Sequence, residues 1–562
     1  MRKIFIFYLL CLYSISLKAQ NTYIPLGYDE YRLVDRIETS QKFLSPRLST
    51  SLKPYARMDV VDLCLDFQEY YQLTVNAYAN PVDFYNVGRA INISGEWGKV
   101  NSMYPDATER RSKPILKYFF PTEPNFIQYS DEDNFFVLNP VLYLQSGLEN
   151  NHSDMRYIWM RGAETRARLF NKIGVYGFIA ETQEKFPKYL TEKALGEKNF
   201  PGFDFYTGGA SKKPFDGFMA RGYVDFPIYK DYVNATFGYD KNFIGDGMRS
   251  LFLDQTGAPY TFLRLRSHFG RFHYQNLFME LKNDYYGALD RSIPKKYASM
   301  HYLGFNIGNR FNLGLFESTI FSPINKVGVM NFVPVILANS VYKSIDKNVQ
   351  NQTSLGLNFK AILAKDFLLY GQGLVQSMDL SKISENNWKN RFGTQLGFKY
   401  TNIFQFTSFD MQMEWNMARP WLYSAIDSVT NYTHYNQTLA HPMGNGFHEF
   451  ILVLYFQPST KLDLEAKAIF TLKGSDSLGN YTSGIFQSIN ASNLNLPYPI
   501  LDNNRKKSLF FNFNASYEFF QNLYLDAGVS QMTIKQHETD KTSTMVYAGI
   551  RWNIAKRNYD FW

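Results

Sequence analysis

The sequence predicts an all-β transmembrane protein: a closed antiparallel outer-membrane β-barrel of about 18 strands with a small mixed or helical N-terminal periplasmic portion. Three observations predict it. From about residue 137 onward, apolar and polar residues alternate with period two in one segment after another. Tight turns and long connections alternate along the same stretch. Mean hydropathy is −0.31, and no run of about 18 apolar residues follows residue 20, which excludes a helical membrane protein.

Composition narrows the remaining classes. Of 562 residues, 45% are hydrophobic and 17% aromatic, too apolar for a disordered chain. There are two cysteines, so a disulfide scaffold is excluded: Cys11 lies in a segment read as removed, which leaves Cys64 alone. A soluble multidomain β protein is the alternative to a barrel.

The elements follow in chain order. Arg2 and Lys3, the apolar stretch Ile4 to Leu17 and the small residue Ala19 read as a secretory signal peptide over 1–19. Removing Arg2, Lys3 and Lys18 lowers the formal charge from +8 to +5. That balance, with no basic run, excludes nucleic acid as a partner. Residues 20–135 do not alternate. Asp29–Glu38 and Met58–Phe67 carry apolar residues at helical spacing, and prolines such as Pro25, Pro54, Pro81 and Pro124 punctuate the region. We read it as a periplasmic or plug portion, with the barrel occupying 136–562.

Within the barrel, Phe409, Met411, Met413, Trp415 and Met417 alternate with Asp410, Gln412, Glu414 and Asn416. Leu509, Phe511, Phe513 and Tyr517 alternate with Asn512, Asn514 and Glu518. The second face of each strand is charged or amide, which a sandwich core does not allow. Strands are expected near 137–147, 156–170, 173–181, 218–227, 231–240, 260–269, 272–281, 301–308, 311–321, 353–363, 367–376, 391–400, 405–417, 448–456, 462–472, 508–518, 523–531 and 543–554. Between them, turns such as Asn171-Lys172 and Gly270-Arg271 alternate with connections such as 241–259, 322–352 and 418–447. A meander crossing a membrane gives this pattern, with short turns periplasmic and long loops outside. Chain entry and the exit at Trp562 are expected on the same, periplasmic side, and the aromatic end Tyr559-Asp560-Phe561-Trp562 is typical of outer-membrane barrels.

Four segments are more specific. They are Phe237-Gly238-Tyr239-Asp240-Lys241-Asn242-Phe243-Ile244-Gly245-Asp246-Gly247-Met248-Arg249-Ser250-Leu251, Gly314-Leu315-Phe316-Glu317-Ser318, Glu414-Trp415-Asn416-Met417-Ala418-Arg419-Pro420-Trp421, and His434-Tyr435-Asn436-Gln437-Thr438-Leu439-Ala440-His441-Pro442-Met443-Gly444. With the stretch from Tyr23 to Tyr55, they resemble the Wzi-like capsule-assembly proteins of the Bacteroidetes, a group that includes the gliding-motility protein RemB. The third segment departs from the family at Trp421 and Leu422, where Tyr is usual. The resemblance implies an eighteen-stranded outer-membrane barrel with a periplasmic helical portion. It also implies binding or organising of surface polysaccharide, and a link to gliding and adhesion machinery.

The parity of the strands puts loops 241–259 and 418–447 on one outer face. Their candidate polysaccharide-binding residues are Asp246, Arg249, Arg419, Trp421, Tyr423, His434, Tyr435 and His441. Sugar rings stack on aromatic faces and sugar hydroxyls need polar partners, and these loops offer both. The structural alternative for Asp246 and Arg249 is an inward-folded loop pinned by that pair, with Gly245 and Gly247 at positive φ. Glu317 and Glu414 are read as part of a luminal network with Arg161, Arg166, Arg168, Arg264 or Arg266. Neither His268 with His273 nor His434 with His441 has metal-ligand spacing, and no nucleophile or phosphate-loop motif is present. No enzyme, metal or cofactor is expected. The leading function is a non-enzymatic barrel that binds surface polysaccharide; the alternative is a porin-like diffusion channel.

Overall fold

The computed structural model describes residues 22–561 apart from 74–79, 98–119, 121, 123, 151, 210–212, 231, 284–294, 323–327, 346–350, 383–385, 427, 475–498, 502–504 and 537–538. The signal-peptide segment lies outside the described residues.

Eighteen long antiparallel strands close into a barrel. In chain order they are β1 (Phe135–Glu149), β2 (Arg156–Leu169), β3 (Ile173–Lys185), β4 (Phe215–Tyr229), β5 (Val233–Asp240), β6 (Tyr260–Phe269), β7 (Phe272–Lys282), β8 (Lys295–Ile307), β9 (Phe311–Phe321), β10 (Gln352–Ala364), β11 (Phe367–Ser377), β12 (Arg391–Tyr400), β13 (Phe409–Ala418), β14 (Phe447–Ser459), β15 (Leu462–Lys473), β16 (Lys506–Phe520), β17 (Leu523–Gln536) and β18 (Thr539–Trp552). Each pairs with the next, and β18 returns to β1 from Met545↔Glu149 to Trp552↔Leu142. Below that seam, the short strand Ile127–Ser130 pairs with Phe135–Leu138 and covers the edge that β18 leaves open.

The burial pattern is that of a membrane barrel. On β16, Leu509, Phe511, Phe513 and Tyr517 are exposed, whereas Asn514, Ser516 and Glu518 between them are buried. On β13, Met413 is exposed while Asp410, Glu414 and Asn416 are buried. Lipid solvates the apolar face, and closure pairs every backbone group that lipid cannot satisfy. Among the described residues no helix is long and apolar enough to span a membrane.

The helical spacing in the N-terminal portion corresponds to α1 (Glu30–Gln41), α2 (Arg57–Leu73) and α3 (Pro81–Ile93). The last is capped by Asn80, whose side chain accepts from Val82 N at 3.1 Å, with Pro81 in the first turn. Leu33, Val34 and Ile37, Val60, Val61 and Cys64, and Val87, Ala90 and Ile91 form one apolar core. The outer faces of these helices carry charges that meet the barrel wall. Arg36 pairs with Asp410 and with Asp83 on α3, Arg32 with Asp463, Lys399 with Asp35 and Lys360 with Glu38. Arg89 bridges Glu30 and Glu518, and Arg166 pairs with Glu96. All of these wall residues lie near the short-turn end of their strands, so the bundle, here called the plug, sits in the mouth on that side, which faces the periplasm in outer-membrane barrels.

The chain end differs from the expectation. β18 stops at Trp552, and residues 553–561 turn into the lumen. Asp560 and Phe561 are buried. Tyr559 Oη and Arg557 both reach Glu184, and Asp560 bridges Arg249 and Lys467. The reason is polarity: Arg557 and Asp560 have partners inside the barrel and none in lipid.

Candidate functional site

The loop 241–259 folds inward and meets the plug. Phe243–Ile244 pairs with Leu52–Lys53, and Gly245 N donates to Ser51 O at 2.8 Å. Apolar residues drive the descent: Leu251, Phe252 and Leu253 are fully buried, and Phe252 stacks on Phe316 of β9 with ring centroids 4.4 Å apart. Asp246 accepts from Ser51 Oγ at 2.7 Å and from Asn358 Nδ2 at 2.9 Å. Arg249 donates to Asp560 Oδ1 at 2.9 Å and lies 3.7 Å from Glu449. Asp246 and Arg249 are therefore not paired with each other. Gly245 has φ +151°. Gly247 has no positive φ; a Cβ there would stand 2.4 Å from the Glu414 carboxylate, which accepts from the Met248 and Arg249 amides.

Loop 419–446 closes over it. Arg419 Nε donates to Asn390 O at 2.8 Å, and Tyr423 Oη to Leu251 O at 3.0 Å. His434 Nδ1 accepts from Lys282 N at 3.0 Å, so its proton sits on Nε2, 2.9 Å from Pro259 O. Tyr435 and Asn436, both at positive φ, make the two-residue turn between Thr433–His434 and Gln437–Thr438. His441 Nε2 lies 2.8 Å from Glu449 and its ring stacks on Phe447. Asp246, Arg249, Arg419, Trp421, Tyr423, His434 and His441 are all buried, and Tyr435 is half-buried. The structure thus brings the eight residues into one packed loop assembly at the long-loop end, with protein groups on most of their polar atoms.

Burial pushes the His434 imidazole down to about 3. Its folded value lies below its ordinary one, so between about pH 6.5 and pH 3 the unfolded chain binds a proton that the folded one does not. Stability therefore falls as pH drops through that window, by at most about 1.4 kcal/mol per pH unit for this group. His434→Gln should shrink the difference between the pH 7 and pH 4 heat-denaturation midpoints in detergent. An unchanged difference would exclude His434 as its source.

The expected luminal network is present only in part. Glu414 points inward and binds Tyr370 Oη at 2.8 Å. Arg264 donates to Asn242 Oδ1, Arg266 to Gln275, and Arg168 to Glu96 O. Arg161 and Glu317 correct the expectation, because the register puts both on the outer face. Arg161 pairs there with Glu181, exposed.

Between plug, loop 241–259 and tail lies a chamber of ≈ 440 Å³. Lys53 and Lys241 line it. Lys53 sits over the Tyr31 and Phe243 rings and is pushed down to about 8, chiefly by burial. Lys241 is pushed down to about 7 by burial and by Arg221 and Arg557. At the outer face, α4 (Lys188–Glu197) and loop 419–446 enclose a groove of ≈ 40 Å³ lined by Lys193, Glu197, Asn199, Asn436, Gln437 and Lys473. These residues escaped the sequence reading because they come from separate loops and share no motif. Among the described residues, no three His, Cys, Asp or Glu side chains converge on a metal site.

Fold and interior together define an outer-membrane β-barrel whose lumen holds helices, an inward loop and the chain's last described residues. No protein-family model and no curated protein matches the sequence. Among solved structures, the chain is similar to Wzi of Escherichia coli, an outer-membrane protein involved in group 1 capsule assembly and described as a carbohydrate-binding β-barrel. That similarity has a TM-score of 0.54 at 11% identity and covers 95% of this chain and 100% of that one. OprD of Pseudomonas aeruginosa (TM-score 0.40, 12% identity, covering 74% of this chain and 94% of that one) and OccAB4 of Acinetobacter baumannii (0.42, 8%, 75% and 98%) are more distant.

Proposed function

We propose that this protein is a non-conducting outer-membrane barrel that binds surface polysaccharide at its long-loop end, without chemistry on it. The observation that carries this reading is the occupied lumen: plug, tail and loop 241–259 meet inside a barrel of a size that otherwise leaves an aqueous channel. The similarity to a carbohydrate-binding barrel over nearly the whole chain supports it. In this reading the eight loop residues hold the rim from beneath. The sugar contacts fall to the polar groove of Lys193, Glu197 and Asn436, with the half-buried Tyr435 beside it. Surface polysaccharide retention is the role, and gliding or adhesion machinery the class of partner it would serve.

Two measurements test it. The purified protein in planar bilayers should give no large, steady single-channel current; such currents would favour the diffusion channel. Lys193→Ala with Glu197→Ala should weaken polysaccharide binding about tenfold, the scale of one lost charge-assisted hydrogen bond. Folded-band abundance should stay unchanged. Unaltered binding would remove the groove from the site.

A further inference from the structure

Residues 328–345, in the connection between β9 and β10, take a different course from the loops that fill the lumen. The register fixes the outward residues in this part of the wall: Leu263, Phe272, Leu313, Leu355 and Leu357 are all exposed. On the same face stand Asn276, Ser299, His301, Glu317 and Thr319, and these are buried. His301 Nδ1 lies 2.6 Å from Asn276 Oδ1, and its Nε2 2.9 Å from Ser299 Oγ.

They are buried because residues 328–345 lie over them. Tyr274 Oη, also outward, donates to Pro334 O at 3.1 Å. Phe332 packs on Phe321 and Phe278, with centroids 5.4 Å and 6.2 Å apart. Glu317 caps the following helix α5 (Ala338–Ile345) from the wall: its carboxylate accepts from the Leu337 and Ser340 amides at 2.7 Å and 2.8 Å and from Ser340 Oγ at 2.5 Å.

This segment is polar toward the protein and apolar away from it. Asn339 is buried. Leu337, Val341 and Ile345 recur every four residues on the opposite side, and Val341 is 55% and Ile345 77% exposed. Met330, Phe332 and Val335 extend the same surface. It is continuous with the lipid-facing wall: Pro334 meets Tyr274, whose register row runs through Leu303 and Leu315 to Leu357, and Leu357 is 58% exposed. A segment facing water would show the reverse polarity.

We propose that residues 328–345 are a membrane-immersed flap whose Leu337–Val341–Ile345 stripe binds the acyl chains of the bilayer, while its polar side covers a hydrophilic patch on the outer wall. The flap replaces lipid over His301 and Glu317, which lipid could not solvate. Single-cysteine variants on a Cys64→Ser background, carrying an environment-sensitive fluorophore, test this in proteoliposomes with acyl-brominated phospholipids. Val341→Cys should be blue-shifted and quenched as strongly as the wall control Leu357→Cys, and Ser381→Cys, exposed on another outer loop, should be neither. Red, unquenched emission at Val341→Cys would put the flap in water and overturn the proposal. Blue-shifted but unquenched emission would overturn it too, because it would assign the stripe to a second copy of the chain. Fluorophore at Ile345→Cys gives an independent reading should Val341→Cys fail to fold.

Discussion

Deleting residues 22–97 should make the barrel conduct. Barrels of 16–18 strands leave an aqueous channel unless something fills them, and here the N-terminal helices fill the short-turn half. Charge holds the helices there: Arg32, Arg36, Asp35, Glu38 and Arg89 each meet a wall residue of opposite sign, beside the apolar contact of Leu44 with Ile362, Leu368 and Tyr370. Removing the helices leaves Lys360, Lys399, Asp410, Asp463 and Glu518 lining the opened mouth. Water enters and solvates them, so the barrel survives and the mouth widens. Planar bilayers should show steady currents in the deletion protein and none in the parent. A milder variant, Arg36→Met with Arg89→Met, should give intermittent openings, because each loss leaves carboxylates unpaired in a tight interface, at about 3–5 kcal/mol per broken pair. Silence in both proteins would mean that loop 241–259 and the tail seal the lumen alone.

Asp560→Asn should be the most damaging single substitution at the long-loop end. Its carboxylate is buried and bridges Arg249 at 2.9 Å and Lys467 at 2.8 Å. Those two cations hold it well below the usual carboxylate range. An amide leaves two buried cations without that charge, at a cost of about 3–5 kcal/mol. The wall and the loop lose their common partner together. The temperature at which the folded band disappears from an electrophoretic gel should fall by several degrees. Residues 553–561 should also become open to proteolysis, which Lys535→Ala, an exposed change elsewhere, should not produce. An unshifted band would show that the bridge adds nothing to the hold of Arg557 and Tyr559 on Glu184.

The strands were readable because lipid and lumen impose opposite demands on alternate residues, so Phe511 and Asn512 announce their faces without any tertiary information. The tight turns were readable for a related reason: Asn171 and Gly270 adopt positive φ, and such residues mark the chain's reversals. Burial of the loops was not readable. Asp246 and His434 carry the residue types of a sugar site, and only the tertiary fold decides whether those polar atoms meet water or Ser51, Asn358 and Lys282. The tail misled for a similar reason, since Tyr559 and Phe561 suit a membrane interface as well as a luminal pocket. The flap was hidden because a long connection between β9 and β10 reads as an outer loop, whereas Glu317, an acidic residue on the outward face of its strand, was the local sign that something must cover it.

The seam has a further consequence for how the molecule is made. β1 and β18 lie at opposite ends of the barrel sequence, and the segments that flank them, helices on one side and residues 553–561 on the other, both end up enclosed. A cylinder that zipped shut first would have to swallow a charged bundle through a finished ring. The two strands whose pairing shuts the ring are thus the two that lead to its enclosed contents.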